Sequence, residues 1–221
     1  MDGRTGLMAT GFYSMLQRCM PGMRRFPFNA LPWPPVTHLL LFVHRVQDVA
    51  PGLYLLVRNP AKDEDLREKF GKDFEWSRPE NSPDGLPLYR LAGGDYRKHA
   101  ESVSCHQEIA ADGIFAVAML TEFEQMLKTY GPWFYRRLYW ECGIIGQMLY
   151  LEAEAYGIQS TGIGCFFDDP VHELLGLRDR SYQSLYHFTV GGAVIDTRLM
   201  TLPPYPEDHP AFNDGKPAPS G

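Results

Sequence analysis

The sequence of 221 residues lacks an apolar run long enough to cross a membrane, because even its longest such run covers only residues 114–120. Residues 1–25 also lack the apolar stretch that is typical of a secretory signal. An excess of basic residues is missing too, since 21 Lys and Arg stand against 27 Asp and Glu, for a net charge of −6. These absences predict a cytoplasmic protein, and they argue against nucleic acid and against an anionic membrane as partners.

Cysteine is scarce, and the four cysteines are widely spaced without a CxxC pair: Cys19, Cys105, Cys142 and Cys165. This pattern favours a reducing compartment over a disulfide scaffold or a zinc site. No two histidines stand at HxH or HxxxH spacing, so no metal site is predicted. The sequence contains neither a GxxxxGK[ST] phosphate loop nor a complete GxGxxG fingerprint, which excludes P-loop and Rossmann nucleotide binding.

Proline divides the chain into regions of different character. Of 18 prolines, ten lie in residues 1–87, two in residues 88–202 and six in residues 203–221. Because proline interrupts helices and central strands, the back half is predicted to be regular and the front half rich in loops. We therefore expect one domain over residues 1–202, followed by an extended or disordered Pro-rich tail over residues 203–221.

Hydrophobic patterning places secondary structure along both halves of this domain. The front half predicts a helix over residues 7–19, a hairpin of strands 36–46 and 53–58, a short helix over 63–70 and a strand over 86–91. The back half predicts a helix over 95–111, a strand over 113–120 buried on both faces, and a strand over 159–167. A short helix over 170–175, capped by Asp168 or Asp169, and a strand over 186–190 complete the domain.

A long central helix is predicted between Pro132 and Gly157. Two apolar rows follow its helical spacing, which indicates burial on more than one side, either inside the domain or between subunits. The first row is Phe134, Leu138, Cys142, Ile145, Leu149, Ala153 and Tyr156, and the second is Trp133, Trp140, Ile144, Met148, Leu151 and Ala155. A third row is polar and contains Gly143 and Gln147. Spacing alone leaves open whether this row is solvated or binds a ligand.

The segment after this helix ends a predicted strand with two glycines, Gly162 and Gly164. Glycines expose backbone N–H groups because no Cβ shields them, and such amides suit a ligand that is rich in acceptors. A phosphate and the edge of a flavin are both ligands of this kind. Cys165 follows directly, and a small buried apolar residue is its simplest interpretation. The adjacent Cys105 and His106 are not expected to form a nucleophile–base pair, because neighbours on a helix do not face each other.

Four segments in this order carry a family resemblance: residues 135–147 (YRRLYWECGIIGQ), 161–166 (TGIGCF), 172–177 (HELLGL) and 188–192 (FTVGG). Together they resemble the nitroreductase superfamily, and within it the SagB/ThcOx-type dehydrogenase branch. The resemblance is strongest over residues 95–202. It implies an FMN-dependent α+β fold in which a mixed sheet is flanked by helices, with the long central helix at a dimer interface.

The resemblance also implies roles for individual residues. Gly162, Ile163, Gly164 and Cys165 match the segment that passes the flavin ring and offers amides to N5 and O4. Gln147 matches a glutamine on the long helix, whose amide both donates and accepts hydrogen bonds. Arg198 resembles the late basic residue that pairs with the FMN phosphate. Tyr130 is the candidate for proton transfer.

Two departures from the family pattern leave alternatives open. The Arg-x-Ser-like motif that grips phosphate and ribityl before the first helix is absent. Three explanations are open: Met1 is a late start, the chain is the rear unit of a duplicated protein, or the chain binds FMN weakly or not at all. Azoline-oxidising members carry a Lys-Tyr pair before the long helix, whereas Lys128 and Tyr130 are here separated by Thr129.

The sequence therefore predicts a cytoplasmic FMN oxidoreductase, a homodimer or a partner of a second nitroreductase-like unit. Hydride would pass in a ping-pong reaction through flavin N5, from a donor such as NAD(P)H to a small-molecule or peptide acceptor. The alternative is a flavin-free domain of the same fold that serves as a binding or scaffold partner. The missing front motif favours this alternative, and the intact segment at Gly162–Cys165 disfavours it.

Overall fold

The structure is a computed structural model that describes residues 1–22, 26–200 and 202, so the predicted tail over 203–221 lies outside the described residues. The strands are β1 (Leu7–Met8), β2 (Thr37–Val43), β3 (Val46–Gln47), β4 (Gly52–Leu56), β5 (Leu88–Gly93), β6 (Phe115–Glu122), β7 (Gln159–Ile163) and β8 (Tyr182–Gly191). The helices are α1 (Ala9–Cys19), α2 (Asp63–Lys69), α3 (Arg97–Val103), α4 (Glu108–Asp112), α5 (Glu124–Tyr130), α6 (Tyr135–Ala155) and α7 (Asp168–Leu175). Short 3-10 turns cover Phe28–Ala30, Pro60–Lys62 and Pro132–Phe134.

Six strands form one sheet in the order β5-β4-β2-β6-β8-β7, and all of its neighbouring strands are antiparallel. Every residue of the central strands β2 and β6 is buried, as the continuous apolar run over 113–120 predicts. Parallel pairing within the described chain is confined to β1 and β3, which form a separate small sheet. The predicted α+β architecture, a sheet flanked by helices, is confirmed, but the six-stranded sheet is antiparallel throughout instead of mixed.

The two faces of the sheet bury separate clusters of apolar side chains. Successive side chains of a strand point to opposite faces, so β2 contributes Leu39 and Leu41 to one cluster and Leu40 and Phe42 to the other. The first cluster holds the buried faces of α1 and α6, and the second holds those of α2, α3 and α7. The sheet therefore separates α1 and α6 from α2, α3 and α7.

The long helix α6 spans 21 residues after a 3-10 turn that begins at Pro132, about 32 Å at 1.5 Å per residue. Its first predicted apolar row is buried against the sheet from Phe134 to Ala153, as expected, whereas Tyr156 lies beyond the helix end and is exposed. The second row is only partly covered by the described residues: Ile144 and Met148 pack against the core, whereas 54% of Trp133, 48% of Trp140 and 55% of Leu151 are exposed. The exposed members of this row can contact another molecule.

The predicted helix over residues 95–111 is wrong in its middle, where the chain forms two short helices, α3 and α4. Cys105 and His106 between them have φ values of 60° and 58°. Two consecutive residues in the left-handed region stop a right-handed helix and reverse the chain.

The predicted capping of α7 is also wrong at its start. Phe167 occupies the N-cap position, and Asp168 and Asp169 both lie inside the first turn. Their negative charges there still interact favourably with the positive end of the helix dipole. The predicted end is confirmed, because Gly176 adopts a left-handed conformation there with φ of 70°.

Within the described part of the chain, no helix combines the length and apolar character that crossing a bilayer requires. The same residues bring together no group of three or more His, Cys, Asp or Glu side chains suited to a metal ion.

Candidate functional site

The two glycines that follow α6 lie at the exposed edge of the sheet, because β7 pairs with β8 on one side only. The N–H of Gly162 points outward and donates to the Tyr150 hydroxyl at 2.9 Å. A Cβ at Gly162 would overlap the Tyr186 hydroxyl, so this position requires glycine as the structure stands. Gly164 is exposed, and nothing lies within 4 Å of the place where its Cβ would be. The strand thus ends in bare, accessible backbone.

The polar row of α6 adjoins this strand end. Tyr150, which accepts the Gly162 amide, stands one helical turn after Gln147 and two turns after Gly143 on the same face. Gln147 is exposed, and Gly143 has open space around its Cβ position. The structure therefore brings the row with Gln147 and the segment Gly162–Cys165 onto one surface.

The turn between α3 and α4 forms the other border of this surface, and it was missed by the sequence analysis. The Gln107 side-chain amide donates to the backbone oxygens of Cys165 at 3.1 Å and Ser104 at 3.0 Å. The Phe167 N–H donates to the Val103 carbonyl at 2.8 Å. Nothing in the local sequence signals these contacts, because they join segments about 60 residues apart.

Cys165 and Cys105 are joined by a disulfide, with their Cα atoms 5.7 Å apart and a sequence separation of 60. Cys165 is exposed, so the prediction of a small buried apolar residue is wrong. The spacing of the cysteines also predicts that none of them forms a disulfide, and this prediction is wrong for Cys105 and Cys165. Cys19 and Cys142 are buried and free. Wide spacing without a motif carries no information about which cysteines meet in space.

A buried histidine, His187, packs next to the glycine strand end. His187 lies between two serine hydroxyls, 3.2 Å from Ser104 Oγ at Nδ1 and 2.9 Å from Ser184 Oγ at Nε2. Its ring stacks on Phe166 with centroids 4.5 Å apart. Burial lowers the pKa of His187 to about 3, so the ring is neutral at physiological pH.

This neutral histidine predicts a loss of stability in mild acid. Unfolded His187 takes up a proton below its ordinary pKa of 6.5, whereas the folded protein resists protonation down to about 3. Its contribution is therefore complete above pH 6.5 and is lost as the pH falls. Between pH 7 and 5, we expect the free energy of unfolding to fall about 2 kcal/mol more in the native chain than in His187→Gln.

Denaturant titrations at both pH values measure this difference, with His99→Gln as the control because His99 is exposed. That variant should keep the pH dependence of the native chain. Equal pH dependence in His187→Gln and the native chain would contradict the assignment.

A cavity of about 310 Å³ opens beside Phe166, at the start of α6. Its wall includes Tyr139, whose hydroxyl lies 2.9 Å from that of Tyr135. Burial and this hydrogen bond raise the pKa of Tyr139. His172 also lines the cavity, and its buried Nε2 has no hydrogen-bond partner among the described residues. The recess thus has polar groups available for a ligand next to the glycine strand end.

Two predicted site residues lie apart from this surface. Tyr130 ends α5 and stacks on Phe134 with ring centroids 4.5 Å apart, outside the lining of the recess. Arg198 lies in an exposed segment after β8, where its guanidinium binds Asp196 at 2.7 Å. Within the described contacts, neither residue touches Gly162–Cys165.

Comparison with solved structures shows three proteins of similar fold. A protein from Anabaena variabilis described as a nitroreductase has a TM-score of 0.63 at 20% identity, over 86% of this chain and 35% of that one. The E. coli microcin synthetase McbBCD complex with truncated pro-MccB17 has a TM-score of 0.60 at 17% identity, over 88% and 66%. A Ralstonia eutropha protein described as a nitroreductase has a TM-score of 0.55 at 13% identity, over 87% and 77%.

These identities establish a shared fold and nothing finer, and the chain spans about a third of the length of the Anabaena protein. No curated protein matches the sequence. The model of the Nitroreductase family matches residues 51–192, which is more than half of the chain and includes β4 to β8 and the glycine strand end. The chain belongs to the nitroreductase family.

Proposed function

We propose that this chain is an FMN-dependent oxidoreductase that binds its cofactor where Gly162–Cys165 adjoins the polar row of α6. The observation that carries the proposal is the open backbone at Gly164, where a side chain would meet no atom within 4 Å. A planar ring can approach such backbone closely. Family membership supports an oxidoreductase and makes a flavin the first cofactor to test.

The residues present fit a flavin in shape and in hydrogen bonding. Gly143 and Gly164 leave space on two sides of the surface, on a helix and at a strand end. The Gly164 amide makes no hydrogen bond among the contacts of the described residues, so it is available to a ring atom. Gln147 offers both a donor and an acceptor.

Each element of the surface then has a task in the reaction. Bound FMN would supply hydride transfer through its N5 atom, in a ping-pong sequence from an NAD(P)H donor to an acceptor. The backbone of Gly162–Cys165 orients the ring, with the Gly164 amide as donor, and Gln107 and His187 hold that segment in position. Arg198 is proposed to leave Asp196 and neutralise the cofactor phosphate. Tyr130 remains the proposed proton donor, and the recess at Phe166 is proposed to receive the acceptor.

The acceptor and the branch of the family are finer proposals. The four sequence segments resemble the SagB/ThcOx-type branch, and the E. coli complex of similar fold was solved with a truncated pro-peptide bound. We propose a peptide as the first acceptor class to test and a small molecule as the second. Cytoplasmic location remains a prediction from the sequence. Because the structure contains the Cys105–Cys165 bond, a test of this location should include the redox state of the compartment.

The exposed row of α6 supports a second nitroreductase-like unit as partner, either another copy of this chain or another domain. Trp133, Trp140 and Leu151 present apolar surface along one helix, which is costly to leave in water. The Anabaena protein of similar fold is about three times as long as the matched region, which is compatible with two units in one polypeptide.

The proposal is tested by adding FMN to the purified chain and measuring flavin absorption, thermal stability and affinity. We expect saturable binding and a higher melting temperature, because a ligand that binds only the folded state stabilises it. A chain that stays colourless and gains no stability would overturn the proposal. That result would favour the flavin-free binding domain instead.

Gly164→Val locates the cofactor within the surface. The valine has room in the free protein, and the φ of residue 164 lies outside the left-handed region, so the melting temperature should change by about 2 °C or less. Its side chain would occupy space that the ring needs, and we expect the FMN dissociation constant to rise at least about tenfold. Ala61→Val, at an exposed position away from this surface, should bind as the native chain does. Unchanged affinity in Gly164→Val would contradict the placement.

A further inference from the structure

A second cavity, of about 410 Å³, lies near the end of α1 and shares no lining residue with the recess at Phe166. Its walls are largely apolar and are contributed by Met20, Pro21, Phe28, Leu31, Trp33 and Pro35. Arg58 and Glu141 line it as well. A cavity of this size accommodates a small organic molecule.

Arg58 is fully buried, and most of its donors are used. Its Nε donates to the Cys19 carbonyl at 2.7 Å, and its Nη1 donates to the Thr37 carbonyl at 2.8 Å and to Glu141 Oε1. The Nη2 group is buried and has no hydrogen-bond partner in the described chain. A buried amino group without an acceptor costs free energy, so an acceptor supplied by a ligand would be favoured there.

Trp33 provides a second donor of the same kind. Its indole packs against Phe134, with ring centroids 5.1 Å apart, and against Trp140. Trp33 Nε1 is buried and, within the residues that the structure describes, has no partner. Two residues that line one apolar cavity thus each hold an unpaired N–H donor.

The charges around the cavity determine which acceptor fits. Glu141 balances the charge of Arg58, and the Val36 N–H donates to its Oε2 at 3.1 Å while the Thr37 N–H contacts its Oε1 at 3.4 Å. The pair is therefore neutral as a whole. Arg58 is the one cation among the described residues that line the cavity, so from these residues an additional anion beside the Glu141 carboxylate would gain no counter-ion, which is unfavourable in a buried site.

We propose that this cavity binds an uncharged aromatic or aliphatic molecule through a carbonyl oxygen that accepts hydrogen bonds from Arg58 Nη2 and Trp33 Nε1, once the wall side chains shift enough to expose these two buried nitrogens. The apolar walls take up the body of the ligand. The site is separate from the proposed flavin surface, so its occupancy does not depend on FMN.

Three probes of similar size test the proposal on the native chain: benzamide, which is neutral with a carbonyl; toluene, which lacks an acceptor; and benzoate, which is an anion. The readout is the indole N–H signals of the four tryptophans in the nitrogen-15 NMR spectrum, assigned by single Trp→Phe variants. We expect benzamide to shift the Trp33 signal saturably, with a dissociation constant of about 1 mM or weaker, as is usual for a fragment. Toluene and benzoate should bind at least about fivefold more weakly.

Trp33→Phe removes one donor and keeps a ring in the wall. It should weaken benzamide about fivefold, as expected for one neutral hydrogen bond, measured in this variant through the indole signal of the neighbouring Trp140. Trp133→Phe is the matched control, since Trp133 is exposed and does not line the cavity. Benzoate or toluene binding as tightly as benzamide would overturn the proposal, and so would the absence of a saturable shift at Trp33. Because these comparisons use the native chain, they remain decisive even where Trp33→Phe folds poorly.

Discussion

Replacing Glu141 with alanine is expected to lower the free energy of unfolding by about 3–5 kcal/mol. The side chains of Arg58 and Glu141 are almost completely buried, with 0% and 1% of their surfaces exposed. Removal of the carboxylate leaves the Arg58 charge in an apolar environment without its counter-ion. The amides of Val36 and Thr37 also lose their acceptor. Denaturant unfolding followed by circular dichroism measures the effect.

Glu152→Ala on the same helix is the matched control. Glu152 pairs with Arg18 at 3.7 Å, and 59% of the Arg18 side chain is exposed, so its loss should cost about 1 kcal/mol or less. The double variant Arg58→Met with Glu141→Leu removes both charges and should recover much of the stability lost in Glu141→Ala. If Glu141→Ala and Glu152→Ala lowered the free energy of unfolding equally, the buried pair would not contribute the predicted stability.

Replacing Cys105 with serine is expected to cost about 2–4 kcal/mol, because the bond to Cys165 closes a loop across 60 residues of sequence. A cross-link of this length restricts the unfolded chain and so favours the folded state. Cys165→Ser and the double variant should lose the same amount, since all three remove one bond. The native chain in a strong thiol reductant should show the same stability as these variants.

Alkylation of the denatured chain followed by mass spectrometry counts the free thiols directly. Without reductant, two thiols should react, at Cys19 and Cys142, and with reductant all four. Four reactive thiols in the absence of reductant, together with unchanged stability in Cys105→Ser, would contradict the pairing.

Local patterns in the sequence predict the regular elements of this fold because each pattern reports burial directly. The apolar run over 113–120 predicts β6 as a strand buried on both faces, and the hairpin around Pro51-Gly52 becomes β2 and β4. The rows of α6 likewise separate a buried face from an exposed one. Glycines and helical spacing also bring Gln147 and Gly162–Cys165 to one surface.

Contacts between distant segments could not be predicted in the same way. The sequence around Cys105 and His106 has a helical pattern. In the structure these two residues have a left-handed backbone, and their turn contacts the segment after β7. Gln107 carries no periodic or compositional signal, yet it binds the Cys165 carbonyl. The sequence therefore predicts the strand that leads into Gly162–Cys165 but not the turn that borders its end.

The glycine strand end is tied to its surroundings from both sides. Tyr150 on α6 accepts the amide of Gly162, and the turn between α3 and α4 holds Cys165 and Phe167 through a covalent bond and two hydrogen bonds. A segment that is already ordered loses little conformational entropy when a ligand arrives, so more of the interaction energy appears as affinity. Association at this surface should then be governed by diffusion and orientation, with no slow rearrangement of the backbone before binding.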